Sequence, residues 1–238
     1  MKKITVAIHQ PNFFPWLGYF DKIVKSDHFV LLDNVQIQKT GSNWTNHVKV
    51  VVSNKPNWIT IPIDRNYSGY VMIKDAKISA VEGKWKNKLL RTIDFNYKKH
   101  PFYNEVYPVI EELVNYNTDL VSAFNANVIV KLLGLFDVEL TKKIVFASSL
   151  NVEGASNDLL ISIVKTLKGT TYMCGGGAEG YQEDEKFKIA GLELVYQDFK
   201  HPVYAQHKQN EFIPGLSIID ALMNCGIDGT RSILTNNH

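Results

Sequence analysis

A histidine stands at position 9, where the alternation of Ile4, Val6 and Ile8 stops and a Gln-Pro pair begins. An imidazole ending a buried strand can donate to a phosphate oxygen or titrate as an acid or base near neutrality. The same position also suits a structural histidine bonded to the backbone of a turn. Gln10 and the flanking Pro11 and Pro15 tilt the reading towards function, because prolines without a backbone donor make a stiff, pre-set loop. Asp33 is the second candidate, a carboxylate expected either to orient His9 or to hold a substrate amine.

Around it, Asn34, Gln36, Gln38, Lys39, Asn43, Trp44, Asn46 and His47 form a stretch rich in amides with one lysine. Amides beside an aromatic ring suit the hydroxyls of a sugar or the edges of a nucleotide better than a bare phosphate. A solvated loop has the same composition. Lys39 is the group expected to stabilise developing negative charge, and Trp16, Asn43 and Asn46 are expected to touch substrate. Gly175, Gly176 and Gly177 follow Cys174 where a strand should meet a helix, with Tyr181 just beyond. Such glycines let backbone amides approach a phosphate. Their spacing is neither a Walker A loop nor GxGxxG, and a flexible turn fits equally. Cys174 reads as a buried structural thiol in preference to a nucleophile. Asp198, His201, Tyr204 and Gln206 lie in a Pro-bracketed loop of aromatic and polar residues, the composition of a small-molecule pocket wall. Ser217 reads as the N-cap of the last helix, with Asp220 at the N3 place of a capping box. No HxH, HExxH or paired-Asp pattern proposes a metal, and no cofactor is named by any motif.

The elements that must position these groups follow from periodicity. Residues 4–8 alternate as a strand, Leu17, Phe20, Ile23 and Val24 recur at helical spacing, and residues 29–32 form a second apolar run. Strand, loop, helix, strand is a βαβ unit with a right-handed crossover. Ligands of such sheets gather outside the carboxyl ends of the strands, so His9, Gln10 and Asp33 are expected on one crevice. Residues 48–52 and 58–63 read as a hairpin beside the main sheet, and residues 73–78 as a further short strand. Helices are expected near residues 85–93, 102–116 and 119–133, the last capped by Gly134. The second half returns to β and α alternation, with strands at 143–147, 170–174 and 192–196. A final helix over 216–224 is closed by Gly226. The expected fold is α/β, a mostly parallel Rossmann-like sheet in one domain over residues 1–238, with 44–135 an inserted hairpin-plus-helical subdomain or lid.

Composition narrows the partners. Hydrophobic residues at 45% and charged residues at 21% are ordinary for a packed domain. A net charge of +2 gives no case for a nucleic-acid polyanion or a membrane surface. Arg65, Arg91 and Arg231 are the only arginines, so a phosphate site must lean on lysine, backbone amides or helix ends. Two cysteines without CxxC spacing, no signal-peptide pattern and no bilayer-length apolar run lead to the expectation of a cytoplasmic protein with a small-molecule substrate.

The segment IHQPNFFPWLGYFDKI, with YMCGGGAEGY, FKHPVYAQ and FIPGLSIIDALMNCG, resembles the WbqC-like protein family from residue 4 to about residue 230. Its HQPxxxPWxGxF signature is specific. The resemblance carries over to His9, Gln10, Pro11, Pro15, Trp16, Gly18 and Phe20, and to the later positions Gly176, Tyr181, Asp198, His201, Pro202, Tyr204, Gln206, Pro214, Ser217, Asp220 and Gly226. It implies a step in bacterial surface polysaccharide (O-antigen) biosynthesis on a nucleotide-linked or lipid-linked sugar precursor. The expected activity is a transferase on an activated sugar or amino-sugar, with N-acyl or aminoacyl transfer as one form. The alternatives are a non-catalytic binder of such precursors and a scaffold whose HQP loop meets a partner protein. The opening βαβ unit also looks like the start of the HIGH-motif nucleotidyl-transfer enzymes, although a second histidine at HxGH spacing and a KMSKS-like loop are missing.

Overall fold

The computed structural model describes residues 3–38, 43–80, 84–175 and 183–235. Five parallel strands form the main sheet: β1 (Thr5–His9), β2 (His28–Leu31), β5 (Ile144–Phe146), β6 (Thr171–Gly175) and β7 (Glu193–Gln197). Their spatial order is β5-β2-β1-β6-β7, so the first and fourth parallel strands lie side by side at the centre. This is the Rossmann-like order, and the α/β expectation holds.

Alternation along the strands divides the side chains between two cores. Ala7, Phe29, Leu31 and Met173 join the larger cluster, while Val6, Ile8, Val30, Tyr172 and Cys174 join the smaller one. Helix α1 (Leu17–Val24) enters the larger cluster. The hairpin of β3 (His47–Val52) and β4 (Lys55–Thr60) contributes to it as well. So do α2 (Trp85–Tyr97), α3 (Tyr103–Val114), α4 (Val121–Phe136) and α8 (Ile218–Thr235). The short α5 (Val138–Thr141) follows α4. On the opposite core lie α6 (Ser156–Thr166) and α7 (Asp184–Ile189).

Several boundaries differ from the periodicity. The hairpin is a two-stranded sheet of its own and makes no ladder with the main sheet. Residues 73–78 are not a strand but begin with a 3-10 turn, Ile73–Asp75. The reason is that the Ile73 and Lys74 amides donate to the carbonyls of Val35 and Asp33, which lie in an irregular segment and offer no ladder. Gly134 does not cap α4, which runs on to Phe136; Asp137 ends it and its carboxylate caps α5 at 2.9 Å from the Glu139 amide. Gly226 does break the last helix, at φ 72° and ψ 179°, but the chain resumes helical geometry to Thr235. A side chain at 226 would also meet the Phe102 ring, 2.6 Å from the nearest carbon.

Candidate active site

The sheet's switch point lies between β1 and β6. Ligands favour this place in open α/β sheets, because the strand order reverses there, the connections leave to opposite faces and a crevice opens between them. A cleft of 590 Å³ opens there, lined among others by His9, Gln10, Trp16, Tyr19, Lys22, Tyr172, Gly175, Gln197 and Phe199. Hollows of 900 and 870 Å³ run along α2 and the hairpin, the first lined by Lys84, Lys88, Arg91 and Asp94 and the second by Lys84 and Lys88, and no strand of the main sheet lines either. The smaller cleft has the chemistry.

The loop after β1 is built rigidly. Phe14 is held at φ 38°, an unfavourable conformation for a residue before proline. The Phe14 carbonyl accepts the Ser217 hydroxyl at 2.8 Å, and the Pro15 carbonyl accepts the Ile218 amide at 2.8 Å. Ser217 therefore pins this loop in addition to accepting the Ile219 amide at 3.3 Å as a helix cap. Phe13 and Phe14 are buried in the larger core, so their rings are not offered to a partner protein. On the other side, the Asn125 amide donates to the carbonyls of Pro11 (2.9 Å) and Thr45 (2.7 Å). Thr45 in turn donates to the Gln10 amide oxygen at 3.2 Å.

His9 Nδ1 lies 3.1 Å from the Gln10 carbonyl oxygen. A carbonyl only accepts, so Nδ1 carries the proton and Nε2 keeps its lone pair. The ring packs edge-on to Tyr19 at 5.0 Å, and the Tyr19 hydroxyl donates to the same Gln10 carbonyl at 3.1 Å. Burial, and then the positive charge of Lys22, push the imidazole down to about 4, while the Gln10 carbonyl pulls it the other way. At neutral pH, His9 is an uncharged acceptor.

Lys22 comes from α1 and was not singled out by sequence. It is 2% exposed, and its ammonium donates to the Ile8 carbonyl at 3.1 Å. Burial pulls it down to about 8 against an opposing pull from the Cys174 thiol. The neighbouring Asp21 is also buried, but its carboxylate takes the Lys25 ammonium at 3.0 Å and the Gln197 amide at 2.7 Å. Gln197 further donates to the Gly18 carbonyl at 2.8 Å, tying β7 to α1 across the cleft.

Trp16 folds over Gly18. A Cβ at Gly18 would lie 2.2 Å from the indole, so glycine is what lets the ring lie flat on the helix. From there the indole meets Phe199 at 5.2 Å and His201 at 5.3 Å, forming an aromatic wall. Gly18→Ala is expected to swing that ring outward and weaken ligand binding at least tenfold. Its melting temperature should move little, because alanine's helix preference of about 1 kcal/mol offsets lost stacking. Emission spectra and binding isotherms of the variant beside Trp16→Phe check this; unchanged affinity would remove the wall from the site.

The structure sends other expected site residues elsewhere. Asp33 lies two residues beyond β2, and its oxygens accept the Ser148 amide at 2.8 Å and the Ser148 hydroxyl at 2.6 Å, with no bond to His9. Asn43 and Asn46 close their own turn, Asn43 accepting the Thr45 amide and Asn46 accepting the Asn43 amide. Asp198 is at the surface, 3.9 Å from Lys200. Tyr204 and Gln206 donate to one oxygen of Asp220 at 2.8 and 3.0 Å. Asp220 is thus the centre of a buried network and not the N3 partner of a capping box. Gly175 ends β6 with open space where a Cβ would point, and lines the cleft. Lys39, Gly176, Gly177 and Tyr181 lie outside the described residues. Among the described residues no three His, Cys, Asp or Glu side chains converge as a metal site, and no helix is long and apolar enough to cross a membrane.

Comparison with known proteins agrees with the sequence signature. The profile of the WbqC-like protein family matches residues 10–232. An uncharacterized protein of Mycobacterium tuberculosis is 26% identical over 234 residues, covering 96% of each chain. No solved structure matches.

Proposed function

The chain belongs to the WbqC-like protein family, and from that premise we propose that it is a transferase of bacterial surface polysaccharide (O-antigen) biosynthesis, acting in the cytoplasm on a nucleotide-activated sugar or amino-sugar. The observation that supports this best is the uncharged His9, with Nε2 unprotonated, on the switch-point cleft. Nε2 takes the proton of the attacking hydroxyl or amine as the new C–O or C–N bond forms and the bond to the leaving group breaks. Trp16, Phe199 and His201 supply an apolar face for a sugar ring or base. Gly175, at the end of β6, lines the cleft with open space where a side chain would begin, which leaves room there for a phosphate. N-acyl or aminoacyl transfer to an amino-sugar is one form of this step: the amine attacks as its free base, and Nε2 takes the proton that becomes acidic as the C–N bond forms.

A non-catalytic binder of the same precursors is the second reading. It is favoured by one observation: His9 Nδ1 is held by a backbone carbonyl and no carboxylate, while Asp33 is occupied by Ser148. A thermal-shift screen of nucleotides and nucleotide-sugars tests both, since a ligand of the native state raises its stability by about 2.7 kcal/mol at a hundred times Kd. One nucleotide class should raise the melting temperature and be consumed when acceptor amines or alcohols are added. Binding without product would favour the second reading. No shift from any nucleotide-sugar would remove both.

A further inference from the structure

We propose that Lys22 is the oxyanion-binding residue of the switch-point cleft: its ammonium takes a phosphoryl or carboxylate group of the ligand and holds that group beside His9. This deepens the transferase reading by naming what the cleft grips.

A buried charge is normally paired, because desolvation otherwise costs several kcal/mol. Lys22 breaks that rule. None of the ion pairs among the described residues includes it. The acid next to it in sequence, Asp21, is taken by Lys25 and Gln197. Among the described residues no carboxylate pairs with Lys22: the Ile8 carbonyl takes its Nζ, the His9 imidazole lies on β1, and Cys174 on β6 is the one group whose charge favours the ammonium. Tyr172 on β6 and Tyr19 on α1 line the same cleft with hydroxyls that burial keeps protonated. A cation with one bonded proton, on the wall of an open cleft, thus has no carboxylate counter-charge among the described residues. The ligand's oxyanion supplies it.

Occupancy changes His9 as well. The Lys22 charge is one cause of the depressed imidazole, so an anion seated on Lys22 cancels that push and makes His9 a stronger base only when the ligand is present. Proton abstraction is thereby coupled to binding.

The test uses the full chain with inorganic pyrophosphate and, separately, sodium acetate as probes, to distinguish phosphoryl from carboxylate recognition. One of the two should raise the wild-type melting temperature saturably. In Lys22→Met, an apolar side chain of similar length, that affinity should drop at least tenfold while the unliganded protein melts at or above wild type. A second measurement needs no variant: the His9 ring titrated by NMR should move up from about 4 on adding the effective probe. Wild-type affinity in Lys22→Met, an unmoved His9 midpoint, or no response to either probe each overturns the assignment. Nucleotide-sugar binding unchanged in Lys22→Met would sink this inference and leave the transferase reading; probe binding through Lys22 with every nucleotide-sugar inert would do the reverse.

Discussion

Turnover by the His9→Ala variant is expected to fall by about 10²- to 10⁴-fold, the usual contribution of a positioned general base, with little loss of fold. His9 is only half-buried, makes one hydrogen bond to a neighbouring carbonyl and touches Tyr19 edge-on. Deleting those contacts costs about 1 kcal/mol. The Gln10 carbonyl keeps its other donor, the Tyr19 hydroxyl, so no buried acceptor is orphaned. The pH profile adds an independent readout. His9 titrates at about 4 in the free protein, below the ordinary 6.5, so the base form is present across the neutral range. The acid limb of kcat/KM should therefore lie near pH 4, and that of kcat should lie higher if an anionic substrate offsets Lys22. The same shift has a stability consequence of fixed sign. A depressed histidine binds fewer protons folded than unfolded, so its contribution is present above pH 6.5 and lost as pH falls through 4. Both limbs should vanish from the residual profile of His9→Ala. An acid limb near 4 that survives the substitution would mean another group is the base.

The strands and the HQP loop could be read from the chain because their signals are local. Ile4, Val6 and Ile8 alternate, two prolines stop the strand, and a carboxyl-end position is a functional address in any parallel sheet. Lys22 was missed for a physical reason. Helical spacing marks Leu17, Phe20, Ile23 and Val24 as one buried stripe and consigns Asp21 and Lys22 to a solvated face. In the fold, α1 is buried from Leu17 to Ile23 because sheet and α8 cover it from more than one side. The usable signal was there: two adjacent charges in an eight-residue helix that leads straight from the strand carrying His9. Asp33, Tyr204 and Gln206 illustrate the converse. Their types suit a pocket, and only tertiary contacts show that Ser148 and Asp220 use their polar atoms. Those partners lie 115, 16 and 14 residues away, beyond any local pattern.

Asp220→Ala is expected to destabilise the protein by about 3 to 5 kcal/mol, the cost of breaking a buried charged network from one side. The carboxylate is wholly buried and accepts from Tyr97 at 3.2 Å through one oxygen and from Tyr204 and Gln206 at 2.8 and 3.0 Å through the other. Burial pushes its pKa up while those donors hold it down. Alanine leaves the two hydroxyls and the amide facing a void, and each unsatisfied donor costs about 1 to 3 kcal/mol. Gln206 has a partial refuge, because its nitrogen also donates to the Ile213 carbonyl at 3.0 Å. Tyr97 keeps an incoming bond from the Val51 amide at 2.9 Å, but its own proton has nowhere to go. Asp220→Asn should cost less, about 1 to 2 kcal/mol, since the amide oxygen still accepts from two donors while its NH₂ faces a hydroxyl that must turn to accept. Tyr204 and Gln206 belong to the segment that brings Phe199 and His201 against Trp16. Loss of the carboxylate therefore loosens the cleft's aromatic wall as well as the core. Urea unfolding of Asp220→Ala, Asp220→Asn and Tyr204→Phe, paired with ligand affinity for each, separates the two effects. If Tyr204→Phe keeps full stability and full affinity, the network holds α8 alone and the wall is positioned by something else; if affinity falls more steeply than stability across the three, Asp220 is the anchor from which the ligand-facing segment is hung.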